Sequence, residues 1–157
     1  MKLYEKYKSI LDDYQINTNL RKAHFMAQVD HESGGFKYTK ELGKDSYFKK
    51  YEGRLDLGNT KPGDGLRYKG RGYIQITGKA NYTALSKDTK IDFLNHPELL
   101  EEEANALISA LWFWSKHKLN YIADTDNIML ITKKINGGYN GIEERKKLLQ
   151  KYKKEIV

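Results

Sequence analysis

Leu3, Tyr7, Ile10, Leu11 and Tyr14 recur at steps of three and four residues and predict a first amphipathic helix over Leu3 to Tyr14. Asn17 or Thr18 suits the N-cap of a second helix. This helix turns Leu20, Ala23, Met26, Ala27 and Val29 inward and ends near Glu32, where Ser33-Gly34-Gly35 breaks the pattern. From Gly34 to Gly78 the periodicity is lost. Glycine and aspartate accumulate, Pro62-Gly63 and Asp64-Gly65 are turn signals, and Tyr47 to Tyr51 is long enough only for a short helix. The alternation in Gly72-Tyr73-Ile74-Gln75-Ile76-Thr77-Gly78 predicts a short strand. Helical spacing returns over Lys79 to Ser86. Asn95-His96-Pro97-Glu98 opens the next helix, whose Ala104, Leu107, Ile108, Leu111 and Trp112 make it the expected central buried one. Asp126 to Ile135 reads as a further helix, stopped by Asn136-Gly137-Gly138. Asn140-Gly141-Ile142-Glu143 resembles a capping box. It would start a last helix with Ile142, Arg145, Leu149, Tyr152 and Ile156 on one side and the lysines from Lys146 to Lys154 on its solvated face.

With 157 residues, no internal repeat and no linker, the chain is expected to form a single domain over 1–157. The longest apolar run, Ala106 to Trp114, is interrupted by Ser109 and is too short to span a bilayer. Charges are mixed through the apolar positions of MKLYEKYKSILDDY, unlike a secretory signal. The chain has no cysteine, which excludes disulfides, thiolate metal sites and a cysteine nucleophile. The net charge of +7 implies an acidic partner: nucleic acid, an anionic membrane or an anionic polymer such as a bacterial cell wall.

His31-Glu32 begins like a zinc-protease helix motif, but Gly35 stands where the second histidine is required. Ala80 likewise spoils a phosphate loop ending in Gly78-Lys79. Lys69-Gly70-Arg71-Gly72 between Tyr68 and Tyr73 offers a basic, aromatic nucleic-acid patch as a competing reading. Glycoside hydrolysis fits the remaining residues better. It needs a carboxylic acid to protonate the leaving oxygen and a carboxylate to activate water or attack the sugar. Glu32, on an apolar helix end beside Phe36, is the candidate acid, since an apolar pocket favours a protonated carboxyl. Glu41 and Glu52 are candidates for the second carboxylate, with Asp45, Asp56 and Asp64 behind them. Gln75, Thr77, Asn81 and Asn136, with the rings of Tyr73 and Tyr82, supply the amides, hydroxyls and flat faces that a polysaccharide site requires.

Three stretches carry a resemblance: AHFMAQVDHESGGF, RYKGRGYIQITGKANY and ITKKINGGYNGIEER, in that order. They resemble the signature stretches of glycoside hydrolase family 19, and more closely its compact phage and bacterial members, the endolysins and chitinase-like muramidases. The resemblance covers roughly residues 18 to 146. It implies a mainly α, lysozyme-like fold of two lobes with a little β structure and a central cleft. It also implies an inverting hydrolase without metal or cofactor. The sequence shows no heptad seam, so a monomer is expected, and no separate wall-binding domain is expected. The family's general acid falls on Glu32 and its second carboxylate on Glu41, or on Glu52 if the plant pattern is followed. Its substrate-contacting positions fall on Gln75, Thr77, Asn81 and Asn136. Inversion implies carboxyls about 6.5–9.5 Å apart. Peptidoglycan is the expected substrate, reached from the host cytoplasm once a holin opens the membrane. No nucleic acid and no stable membrane insertion are expected. Chitin hydrolysis and lytic transglycosylation are the alternative enzyme readings.

Overall fold

The computed structural model describes residues 1–157, and they form two compact units. The first comprises Met1–Lys37 and Leu111–Val157, the second Tyr38–Ala110.

The first unit is built on α3 (Asn19–Glu32), capped at its start by Thr18, whose hydroxyl accepts from the Arg21 amide. Seven consecutive residues of α3, Ala23 to Val29, are buried. A helix buried on every side must be surrounded by other elements. Here α9 (Ile142–Glu155) and α7 (Leu119–Asp124) pack on it, and α8 (Ile128–Asn136) packs on both α7 and α9. The expected first helix is broken at Tyr7 into α1 (Leu3–Lys6) and α2 (Lys8–Asp13). The Phe25 ring meets Trp114 edge-on at 5.4 Å, and the Trp114 indole donates to Asn120 Oδ1. Trp114 lies on α6 (Glu103–Lys116). α6 is buried as expected, with Ala106, Leu107, Ser109, Ala110, Leu111 and Trp114 all withdrawn from solvent. No helix is long and apolar enough to cross a membrane.

The second unit holds 3₁₀ turns at Asp45–Tyr51, Leu55–Leu57 and Pro97–Glu101, with α4 (Asp64–Arg67) and α5 (Lys79–Thr89). Phe48, Tyr68, Tyr73, Tyr82, Leu85 and Phe93 are buried in its core. Its β structure is confined to two isolated bridges, Lys40 with Arg71 and Arg71 with Ile76. The strand expected over Gly72 to Gly78 is instead a tight reversal. Arg71 and Ile76 exchange both backbone hydrogen bonds, and Gly72 and Gln75 take positive φ between them. Arg71 braces this turn. Its guanidinium donates to Glu101, to the Arg67 carbonyl and to the Tyr82 hydroxyl.

Candidate active site

In the first unit, α3 ends abruptly. Ser33 Oγ donates to the Val29 carbonyl and accepts from the Phe36 amide, while Gly34, Gly35 and Phe36 all turn left-handed. Glu32 therefore stands on the last turn. The apolar pocket expected around it is not what the structure shows. Glu32 Oε1 accepts from Arg145 Nη2 at 2.7 Å. Arg145 comes from α9 and its side chain is 1% exposed, against 27% for Glu32. Its other donors go to Gln28 Oε1 at 2.5 Å and the Asn140 carbonyl at 3.0 Å. Gln28 is itself buried and donates to Thr132. An arginine faces inward here because it falls on the register of Leu149, Tyr152 and Ile156, and each of its three guanidinium nitrogens meets an acceptor, as a buried cation requires.

The loop between α8 and α9 joins this network. Asn136 is exposed, and its Oδ1 accepts from the Asn140 amide at 3.3 Å. The expected capping box is absent: Gly141 is the N-cap and supplies no side chain. The reason is close approach. A Cβ on Gly141 would lie 2.3 Å from the His31 ring, and the residue has φ +74°. His31 Nδ1 in turn pairs with Glu144 Oε1 at 2.8 Å. Two consecutive residues of α3, His31 and Glu32, are thus pinned by the first turn of α9.

In the second unit the polar side chains converge on Gly70. A Cβ there would stand 2.7 Å from Gln75 Oε1, 3.0 Å from Glu41 Oε1 and 3.2 Å from Thr77 Oγ1. Only a glycine leaves these atoms room to meet. The Gly70 amide donates to Glu41 Oε1 at 3.1 Å and the Tyr51 hydroxyl to Oε2 at 2.8 Å. Burial first, and then the bond to Glu41, push the Tyr51 phenol up, which keeps it a donor. Gln75 donates to the Gly72 carbonyl and Thr77 to the Gln75 carbonyl, which fixes both on the reversal.

The other expected residues lie elsewhere. Glu52 is exposed and its Oε1 accepts from the Gly63 amide, outside the cluster at Gly70. Asp56 is held by Arg54, and Asp64 is buried against the Lys61 amide. Asn81 is exposed and donates to the Thr77 carbonyl. Tyr73 and Tyr82, expected to offer rings to a sugar, are both buried, and Tyr82 donates to the Lys69 carbonyl, so neither presents a ring face to a ligand. The aromatic signal was real but belonged to the core. Arg145, Gln28, Tyr51 and Gly70 join the networks around Glu32 and Glu41, and the sequence does not single them out as candidates. Only Arg145 carried a usable signal, a cation at an inward helical position.

The model of glycoside hydrolase family 19, described as chitinase class I, matches residues 12–134. The chain belongs to this family. It is 34% identical to a glycosyl hydrolase family 19 domain-containing protein of Haemophilus influenzae, over 93% of this chain and 85% of that protein. It is 33% identical to an endochitinase of Arabidopsis thaliana over 74% of the chain, but spans only 39% of that enzyme's length. Its fold resembles that of chitinase C from Streptomyces griseus, with a TM-score of 0.79 at 24% identity over 99% of this chain and 84% of that one. A class IV chitinase of Zea mays resembles it at a TM-score of 0.69 and 26% identity, over 88% and 69% of the two chains. As a family 19 member the chain is a glycoside hydrolase of the mainly helical, lysozyme-like type, and a polysaccharide is its class of substrate.

Proposed function

We propose that this family 19 enzyme is an endolysin-type muramidase that hydrolyses the β-1,4 bonds of bacterial peptidoglycan with inversion. The observation that carries the choice of substrate is charge. The first unit holds 16 lysines and arginines against 10 aspartates and glutamates, a net +6, whereas the second, with 12 against 11, is close to neutral. A cationic unit draws an anionic wall glycan and gives no advantage on neutral chitin. The enzyme works as a monomer at the wall, reached from the host cytoplasm after a holin opens the membrane.

In the proposed mechanism Glu32 is the general acid. Arg145 grips Oε1, which leaves Oε2 to carry the proton to the bridging oxygen. Negative charge develops on Glu32 as that proton leaves, and the buried Arg145 guanidinium is already in place to stabilise it. Glu41 is the base. Each of its oxygens accepts one hydrogen bond, from Gly70 or from Tyr51, and each has a second lone pair for a water. That water loses its proton to Glu41 and adds to the anomeric carbon as the glycosidic bond breaks. Gln75 and Thr77, beside Glu41, bind the sugar and the water, and Asn81 and Asn136 offer exposed amides to the glycan.

The relatives named endochitinases favour chitin as a second reading. The test offers purified peptidoglycan and colloidal chitin separately to the wild-type chain, at low and high salt. Release of reducing amino-sugar ends from peptidoglycan, weakened by salt, is expected. Cleavage of chitin alone would replace the substrate, and 1,6-anhydro ends would make the enzyme a lytic transglycosylase.

A further inference from the structure

Glu41 has a cation for a neighbour. Lys50, from the 3₁₀ turn Asp45–Tyr51, brings Nζ to 3.9 Å from Glu41 Oε2. Hydrogen bonds between nitrogen and oxygen span about 2.7–3.2 Å, so this ammonium is not locked onto the carboxylate. It is tethered from another side. Nζ donates to the Tyr47 hydroxyl at 2.5 Å and lies 3.8 Å from the centre of the Tyr47 ring and 5.0 Å from that of Tyr51. These partners, the Tyr47 bond first, push the Lys50 ammonium up and keep it charged. The side chain remains 45% exposed. An ammonium has three donors, and Tyr47 takes one. The result is a charged group held at the edge of the Glu41 cluster with donors to spare, its rotamer freedom largely lost before any ligand arrives.

Glu41 does not need this cation to hold its place, because Gly70 and Tyr51 already fix both of its oxygens. We propose that Lys50 is a specificity-determining residue whose ammonium binds a carboxylate carried by a substituent of the glycan, so that the site prefers acidic wall glycan to a neutral amino-sugar polymer. The proposal rests on the peptidoglycan reading above. Two parts of the wall carry such a carboxylate: the peptide stem, and the lactyl group once the stem has been removed.

The test measures KM and kcat for wild type, Lys50→Met and Lys50→Arg on three soluble glycan fractions. One retains its peptide stems, one is stripped of them by an amidase, and one is stripped and then has its lactyl carboxylates converted to amides. A half-exposed pair predicts a KM about fivefold higher for Lys50→Met on an acidic fraction, with kcat nearly kept and Lys50→Arg close to wild type. Wild type should show a similarly raised KM on the amidated fraction. A rise seen only with stems present assigns the carboxylate to the peptide, and a rise on both acidic fractions includes the lactyl group. A fall in kcat with unchanged KM would give Lys50 to Glu41 alone and overturn the proposal. If wild type cleaves none of the fractions, the peptidoglycan reading itself fails and the proposal with it.

Discussion

Arg145 should hold the first unit together as well as position Glu32, and a double-mutant cycle can separate the two. Arg145→Met keeps side-chain length and removes the charge. It deprives the Glu32 carboxylate, Gln28 Oε1 and the Asn140 carbonyl of their donor at once. Breaking a buried ion pair from one side costs about 3–5 kcal/mol, and the partial exposure of Glu32 lowers that to about 2–3. The two neutral acceptors add about 1 kcal/mol each. A total near 4 kcal/mol is a large part of the usual 5–15 kcal/mol of stability, and should lower Tm by about 8–16 °C. Glu32→Gln retains an acceptor for Arg145 and should cost about 1–2 kcal/mol. The double variant should cost less than the sum, with a coupling of about 1–3 kcal/mol. Urea unfolding followed by tryptophan fluorescence is the assay, because Trp112 and Trp114 both lie in the first unit. A loss under about 1 kcal/mol for Arg145→Met, or a coupling within about 0.5 kcal/mol of zero, would refute the reasoning.

Gly70→Ala should separate activity from stability. Its Cβ meets the flexible ends of Gln75, Glu41 and Thr77, which can yield, so unfolding should shift by about 1 kcal/mol while hydrolysis falls more than tenfold. Unchanged kcat/KM would show that the cluster at Gly70 is not the site. Gly141→Ala meets the His31 ring and a positive φ together, and should destabilise the fold by at least about 2 kcal/mol in the same urea assay. Burial lowers the His24 pKa below the usual value of 6.5 despite its bond to Asp126. The unfolded chain then binds the extra proton more readily, so this contribution to stability is present above pH 6.5 and fades as pH falls below it. Thermal unfolding at pH 7.5 and 5.5 should show a larger acid loss for wild type than for His24→Gln, and equal losses would remove His24 from the account.

Helix positions were legible where apolar spacing and a stop signal agreed, as in α3 and α8. The reversal at Gly72 was not, because a turn carrying Tyr73, Ile74 and Ile76 has the same alternation as a strand. Only the positive φ of Gly72 and Gln75 distinguishes them. Glu32 was legible as a helix-end carboxylate, but its ion pair with Arg145 joins residues 113 positions apart. Glu41 and Glu52 looked alike in one glycine-rich stretch. What separates them is Gly70, which is 29 residues from Glu41 and meets it only once the chain has folded. Tyr73 and Tyr82 show the reverse error, in which residue types suited to stacking on sugars serve as core.

The central claim is that Glu32 supplies the proton for hydrolysis of a wall glycan. The most direct measurement is turbidity loss of purified peptidoglycan with wild type and with Glu32→Gln, both confirmed folded by circular dichroism, followed by mass analysis of the released sugars. The account predicts lysis with reducing amino-sugar ends from wild type, and at least about a thousandfold loss in Glu32→Gln. Lysis by Glu32→Gln near the wild-type rate would contradict it.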